Sequence, residues 1–124
     1  MFSHVVVGTN QVDTAKIFYD AVMRALGITE SFSDETRVMY QQGAESFIVT
    51  KPIDGQAATA ANGGTIGFSC STTEVVDAWH AAGLRNGGTS CENPPGIREA
   101  FGARFYLAYM RDPSGNKLCA YCIP

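Results

Sequence analysis

The chain is written twice. Residues 4–27, HVVVGTNQVDTAKIFYDAVMRALG, lie over residues 65–88, TIGFSCSTTEVVDAWHAAGLRNGG, at a constant offset of 61. Val5 and Val7 fall on Ile66 and Phe68, Asp13 on Glu74, Phe18 on Trp79, Ala21 on Ala82, Arg24 on Arg85 and Gly27 on Gly88. The shared identity is low, but the order is the same: apolar strand, polar turn, amphipathic helix, glycine. A repeat of this length is one supersecondary unit used twice, and neither copy can bury its apolar face alone. Few folds satisfy that condition.

The first strand is expected over residues 2–8 and the first helix over 11–26. Val12, Ala15, Phe18 or Tyr19, Val22 and Leu26 recur at helical steps. Asn10 is the expected cap and Gly27 the left-handed stop. In the second copy, Ser71 and Glu74 fit a capping box. Val75, Ala78, Trp79 and Ala82 form the expected buried stripe, and Gly83 the expected end. Strands near 30–33, 37–42 and 45–52 follow the first helix. Strands near 88–91, 103–111 and 117–123 follow the second, with Asp-Pro-Ser-Gly (112–115) as the turn of the last hairpin. DGQAATAANGG (54–64) is a linker, small and polar. CENPPGIREAFGA (91–103) reads as a loop able to fold over a site. The fold class is thus α+β, one domain over 1–124: two tandem βαβββ modules, about 1–53 and 65–124, whose curved mixed sheets form a cup.

Composition excludes several classes of function. Charged residues are 17% of the chain and the net charge is −3. No basic stripe exists to meet phosphates, so no nucleic acid is expected as partner. No apolar run reaches the length of a membrane span, so no membrane partner is expected. The first residues lack the charged and apolar regions of a secretory signal, which makes the expected location cytoplasmic. Cys70, Cys91, Cys119 and Cys122 are expected to be free. CAYC lies on a strand rather than at a helix start, where a redox pair would sit.

Strand alternation sorts residues between faces. Val5, Val7, Ile66, Phe68, Cys70, Leu118, Ala120 and Cys122 should face the helices. His4, Val6, Gly8, Thr65, Gly67, Ser69, Lys117, Cys119 and Tyr121 should face away. That second set is too polar to be plain core, and it is the residue-level evidence for a site.

The stretch FSHVVVGTNQVDTAKIFYDAVMRALG, with YMRDPSGNKL near the end, resembles the glyoxalase / bleomycin-resistance / extradiol dioxygenase group, the vicinal oxygen chelate superfamily. The resemblance covers essentially the whole chain. It implies a homodimer and, in the metal-dependent members, a divalent ion on the cupped face. The ligand positions it implies fall on His4, Ile48, Thr65 and Cys119, where the relatives carry His or carboxylates. Only His4 is a standard ligand, and catalytic zinc sites normally use three protein ligands. The carboxylate that would move a proton is also missing. No cofactor is therefore expected, and glyoxalase I chemistry is not expected.

The expected function is small-molecule binding in the cup of a βαβββ dimer, without the standard metal site. The wall would comprise Val6, Ile48, Thr50, Thr65, Gly67, Tyr106, Lys117 and Tyr121, with Arg98 on the loop as a clamp for a carboxylate or phosphate. The alternative is a divergent lyase or isomerase of glyoxalase type, acting on a small metabolite through His4 and Cys119 as catalytic residues. In that reading a divalent metal held by His4 and Cys119 remains an option. His80, beside Trp79, is expected at the surface.

Overall fold

A computed structural model describes residues 1–124. The repeat is visible at once in the strand order. In module one, β1 (His4–Gly8), α1 (Val12–Ala25), β2 (Ser31–Ser33), β3 (Arg37–Gln42) and β4 (Glu45–Thr50) form a sheet ordered β1-β4-β3-β2. In module two, β5 (Ile66–Ser69), α2 (Thr73–Arg85), β6 (Thr89–Ser90), β8 (Ala103–Arg111) and β9 (Lys117–Cys122) repeat it as β5-β9-β8-β6. In each, the first strand pairs parallel with the last and the other pairs are antiparallel. One element has no counterpart: β7 (Gly96–Ala100) forms a hairpin with β8. The expected loop over 91–103 is therefore loop only over its first part. Ile97, Arg98 and Glu99 add ladder bonds to β8 before the chain turns at Phe101 and Gly102, both with positive φ.

The first helix ends as expected, the second runs past its expected end, and both begin differently. Gly27 has φ 79, and the Gly27 and Ile28 amides donate to Arg24 and Met23, which closes a Schellman motif. Gly87 plays that part in module two, with the Gly88 amide donating to Gly83. Asn10 does not cap α1. Its side-chain oxygen accepts from the Ala58 amide at 2.7 Å, so it pins the linker instead, and Gln11 leads into the helix with no side-chain cap. The cap of α2 is Thr72, whose hydroxyl accepts from the Val75 amide at 3.2 Å, rather than Ser71.

The buried face of α2 is Val76, Trp79, His80, Ala82 and Gly83, turned from the expected Val75 and Ala78. The VV and AA doublets allow either face, Trp79 and Ala82 belong to both, and burial of His80 and Gly83 marks the one used. Gly83 does not end the helix. A β-carbon there would lie 2.2 Å from the Met110 sulfur and 3.2 Å from the Phe18 ring, so the glycine admits close packing between the helix and its neighbours. His80 is buried rather than at the surface, 3.2 Å from the Ser90 hydroxyl. Desolvation holds its pKa below the ordinary histidine range.

One core serves both modules. Phe18, Tyr19, Val22, Met23, Val38, Tyr40, Phe47 and Val49 from the first join Val76, Trp79, Ala108, Met110, Leu118 and Ala120 from the second. Phe47 and Phe68 meet edge to face across the seam with centroids 5.3 Å apart. The helices pack on each other, but no strand of one sheet pairs with a strand of the other. Each sheet has two unpaired edges: β1 and β2 in the first, β5 and the β6/β7 side in the second.

Candidate functional site

With the helix-covered faces committed to the core, each sheet has one open face. Its residues follow from register, since directly paired residues share a face. Phe47 and Val49 are core, so Ile48 points the other way. Val6 pairs with Ile48, Ile48 with Met39, and Met39 with Phe32. This apolar row crosses all four strands of module one, and its ends are the most exposed, Val6 at 49% and Phe32 at 54%. The matching row of module two is different. Gly67 pairs with Cys119, Cys119 with Tyr109, and the Cys91 amide donates to the Tyr109 carbonyl at 3.4 Å. Ile48 and Cys119 thus occupy the same place in the two modules, opposite Val6 and Gly67, which correspond at the repeat offset of 61.

His4 is exposed at the start of β1, with its Nδ1 2.8 Å from the Ser3 hydroxyl. Thr50 pairs with Gly8 at the far end of the open face and donates to the Lys51 carbonyl at 3.0 Å. Thr65 is exposed and immediately precedes β5. Lys117 and Tyr121 flank Cys119 on β9, as alternation requires. Tyr106 is a correction. It shares the parity of the core residues Ala108 and Met110 on β8, and its hydroxyl donates to Asp77 of α2 at 2.8 Å, so it belongs to the helix side. Tyr40 is likewise core, donating to Asp20 at 2.7 Å. The Arg98 guanidinium donates to the Asn93 and Pro94 carbonyls at 2.8 and 2.9 Å. That arginine organises the loop.

Three open-face residues of module two were not singled out from the sequence. Tyr109 lies under the Lys117 ammonium, 5.1 Å from ring centroid to nitrogen. Glu92 forms an ion pair with Lys117. Phe105 stacks at a tilt on Tyr121, with centroids 5.6 Å apart. Only the parity of β8 would have marked Tyr109 and Phe105. Nothing in the sequence marks Glu92, which acts through a contact across two strands.

The Cys119 thiol is buried, and desolvation pushes its pKa up to about 11 against the opposing pull of Tyr109 and Lys117. A thiol so placed is about one part in a thousand thiolate at pH 8. Iodoacetamide at that pH should therefore leave Cys119 unlabelled in the folded protein and label it after unfolding. Mass spectrometry of the C-terminal peptide reads this directly, and rapid labelling of the native protein would contradict the assigned burial.

The donor set does not fit a divalent ion. The four ligand positions hold one imidazole, one hydrocarbon, one hydroxyl and one protonated thiol. Nowhere do three His, Cys, Asp or Glu side chains gather in a way that could hold a metal. A cavity of about 310 Å³ lies at the module seam between the β1 and β5 edges and not over the Cys119 row. Ser3, His4 and Val5 of the β1 edge and Ile66 to Ser69 of the β5 edge line it, above a floor of Met23, Phe47 and Phe68.

No helix is long and apolar enough to cross a membrane, and all four cysteines are free. No curated protein matches the chain. Among solved structures, a glyoxalase/bleomycin resistance protein from Albidiferax ferrireducens is 50% identical over 98% of both chains, with a TM-score of 0.94. A glyoxalase/bleomycin resistance protein/dioxygenase family enzyme from Burkholderia phytofirmans shares the fold at 16% identity, 98% of both chains and a TM-score of 0.74. A lactoylglutathione lyase from Agrobacterium tumefaciens does so at 18% identity, over 98% of this chain and 92% of that one, with a TM-score of 0.68. The family model for the Glyoxalase/Bleomycin resistance protein/Dioxygenase superfamily matches residues 1–120, and the chain belongs to that superfamily.

Proposed function

We propose that this protein binds a small organic molecule against the open faces of its sheets, in a cup completed by a second copy of the chain and without a divalent ion. The observation that carries the reading is the paired register at Ile48 and Cys119. Where a metal would need two carboxylates, one module has an apolar row and the other a thiol between aromatic side chains. Val6, Ile48, Thr50, Thr65, Gly67, Lys117 and Tyr121 supply the wall, with His4 at its rim. Apolar lining with a few placed polar groups is the usual make-up of a small-molecule site.

The second copy is argued from the backbone. β1 and β5 each present an edge of unpaired amides and carbonyls, which natural proteins cover or pair. The exposed Val6 lies on β1 itself, and the exposed Phe32 on β2 at the sheet's other edge. The four free thiols suit a reducing cytoplasm. A lyase or isomerase acting through His4 and Cys119 would have to work with a thiol that stays protonated at neutral pH.

Three measurements test the reading together. Protein purified without chelator should contain no stoichiometric divalent ion, and sizing chromatography should show a dimer at micromolar concentration. Thermal-shift screening of small organic molecules should give hits that His4→Ala or Ile48→Lys weakens. A stoichiometric ion lost in His4→Ala would overturn the metal-free site. A monomer, or no hit from a broad panel, would overturn the cup.

A further inference from the structure

Lys117 is half-buried on the open face of module two, above the Tyr109 ring. Its partner, Glu92, comes from the far side of the sheet. β6 ends at Ser90, and the Cys91 amide is bonded to β8, so Glu92 must reach over β8 to meet an ammonium on β9. Its backbone has φ 58, a left-handed conformation that a β-carbon disfavours and that persists only where the surroundings impose it. Arg98 supplies that constraint by holding the Asn93 and Pro94 carbonyls. The other cations on this face are committed to backbone: Arg111 to the Gly115 carbonyl at 2.8 Å, and Arg98, paired with Phe105, to the two loop carbonyls. Lys117 alone is matched to a carboxylate. Around it stand aromatic faces: Tyr109 beneath, and the Phe105–Tyr121 pair along the strands.

Resting on the small-molecule reading above, we propose that Glu92 is an exchangeable counter-ion, and that the ligand is an aromatic or otherwise apolar carboxylate whose head group takes Lys117 from it while its body lies on Tyr109 and Tyr121. Exchanging one carboxylate for another leaves the charge of the site unchanged, so the ammonium is never left unpaired. Glu92 is exposed to water, and released it regains hydration at little cost. A neutral ligand gains nothing by the exchange, since it would have to strand Lys117 or leave Glu92 across its path. The class of ligand is thus set by a residue from an irregular strap, which the strand pattern alone does not reveal.

Phenylacetate and its neutral counterpart phenylacetamide are the probes, titrated calorimetrically into the full chain. Phenylacetate should bind in preference to the amide. Glu92→Gln should tighten phenylacetate by about tenfold, because the resident competitor is gone. Lys117→Met should weaken it by at least as much, and Lys117→Arg should restore it. Circular dichroism confirms that each variant is folded. If acid and amide bind alike and neither substitution changes that, the inference is overturned while the small-molecule reading stands. If neither probe binds any variant, the inference also fails, and the broad panel above decides the reading beneath it. Weaker phenylacetate binding in Glu92→Gln would likewise overturn it, making Glu92 part of the ligand's own contacts.

Discussion

Asp112→Ala should cost about 3–5 kcal/mol of folding stability, a large part of the roughly 5–15 kcal/mol typical of a domain. Asp112 is only 4% exposed. One carboxylate oxygen accepts from the Tyr19 hydroxyl at 2.5 Å and from the Asn116 side chain at 2.9 Å. The other accepts from the Ser114 and Asn116 amides, both at 2.9 Å. Asn116 then donates to the Gly8 carbonyl, and Ser114 to the Thr9 hydroxyl, each at 2.9 Å. A single carboxylate therefore ties the last hairpin of module two to the helix and first strand of module one. Removing it strands a buried phenol and two turn amides. Burial, and after it the Asp112 charge, raise the Tyr19 pKa well above its ordinary value, so the phenol stays a donor throughout the working pH range. Asp112→Asn, which keeps the shape and loses the charge, should fall between wild type and Ala. Urea unfolding with an unchanged slope is the measurement. A loss under about 1 kcal/mol for Asp112→Ala would mean that water replaces the network, which its burial argues against.

That network shows where the sequence stops being informative. Asp-Pro-Ser-Gly marks a turn by local chemistry, and the turn is there. Nothing local says that its aspartate reaches Tyr19, because the contact forms only when the two modules pack. The same division runs through the molecule. The offset between the two halves dictated the same element order in both modules, and alternation put Val6, Cys119, Lys117 and Tyr121 on the open face, since both follow from short-range geometry; Ile48 was marked only by the family resemblance. The insertion of β7 lay hidden because Gly-Ile-Arg-Glu-Ala alternates too weakly beside two prolines. The face of α2 lay hidden because Val75-Val76 and Ala81-Ala82 offer two equivalent stripes. Tyr106 and Tyr109 are both aromatic strand residues, and only the pairing with β9 decides that one meets Asp77 while the other lies under Lys117.

Gly83 carries the same lesson in another form. A glycine late in a helix reads as a stop, yet this one is retained because Met110 and Phe18 occupy the space of its missing side chain. The site follows suit. Its rows could be written down from the pattern, but the electrostatic partner of Lys117 comes from a strap whose path depends on Arg98 and a left-handed Glu92.

Trp79→Ala should destabilise the fold by about 3–5 kcal/mol, the range for truncating a large buried aromatic. Trp79 is completely buried in the shared core, with its ring 6.3 Å from that of Phe68. The cavity left behind would open beside Phe68 and Val76 in tightly packed surroundings, where little relaxation is available. Trp79→Phe separates two contributions. It loses part of the ring's packing, but it also removes an indole N–H that is buried with no hydrogen-bond partner. An unsatisfied donor of that kind costs about 1–3 kcal/mol. The two effects oppose, so Trp79→Phe should lie within about 1 kcal/mol of the native chain. Chemical unfolding of the three proteins decides the matter. If Trp79→Phe proves as damaging as Trp79→Ala, the N–H is not an orphan in solution, and a buried water bonded to it becomes the explanation to test.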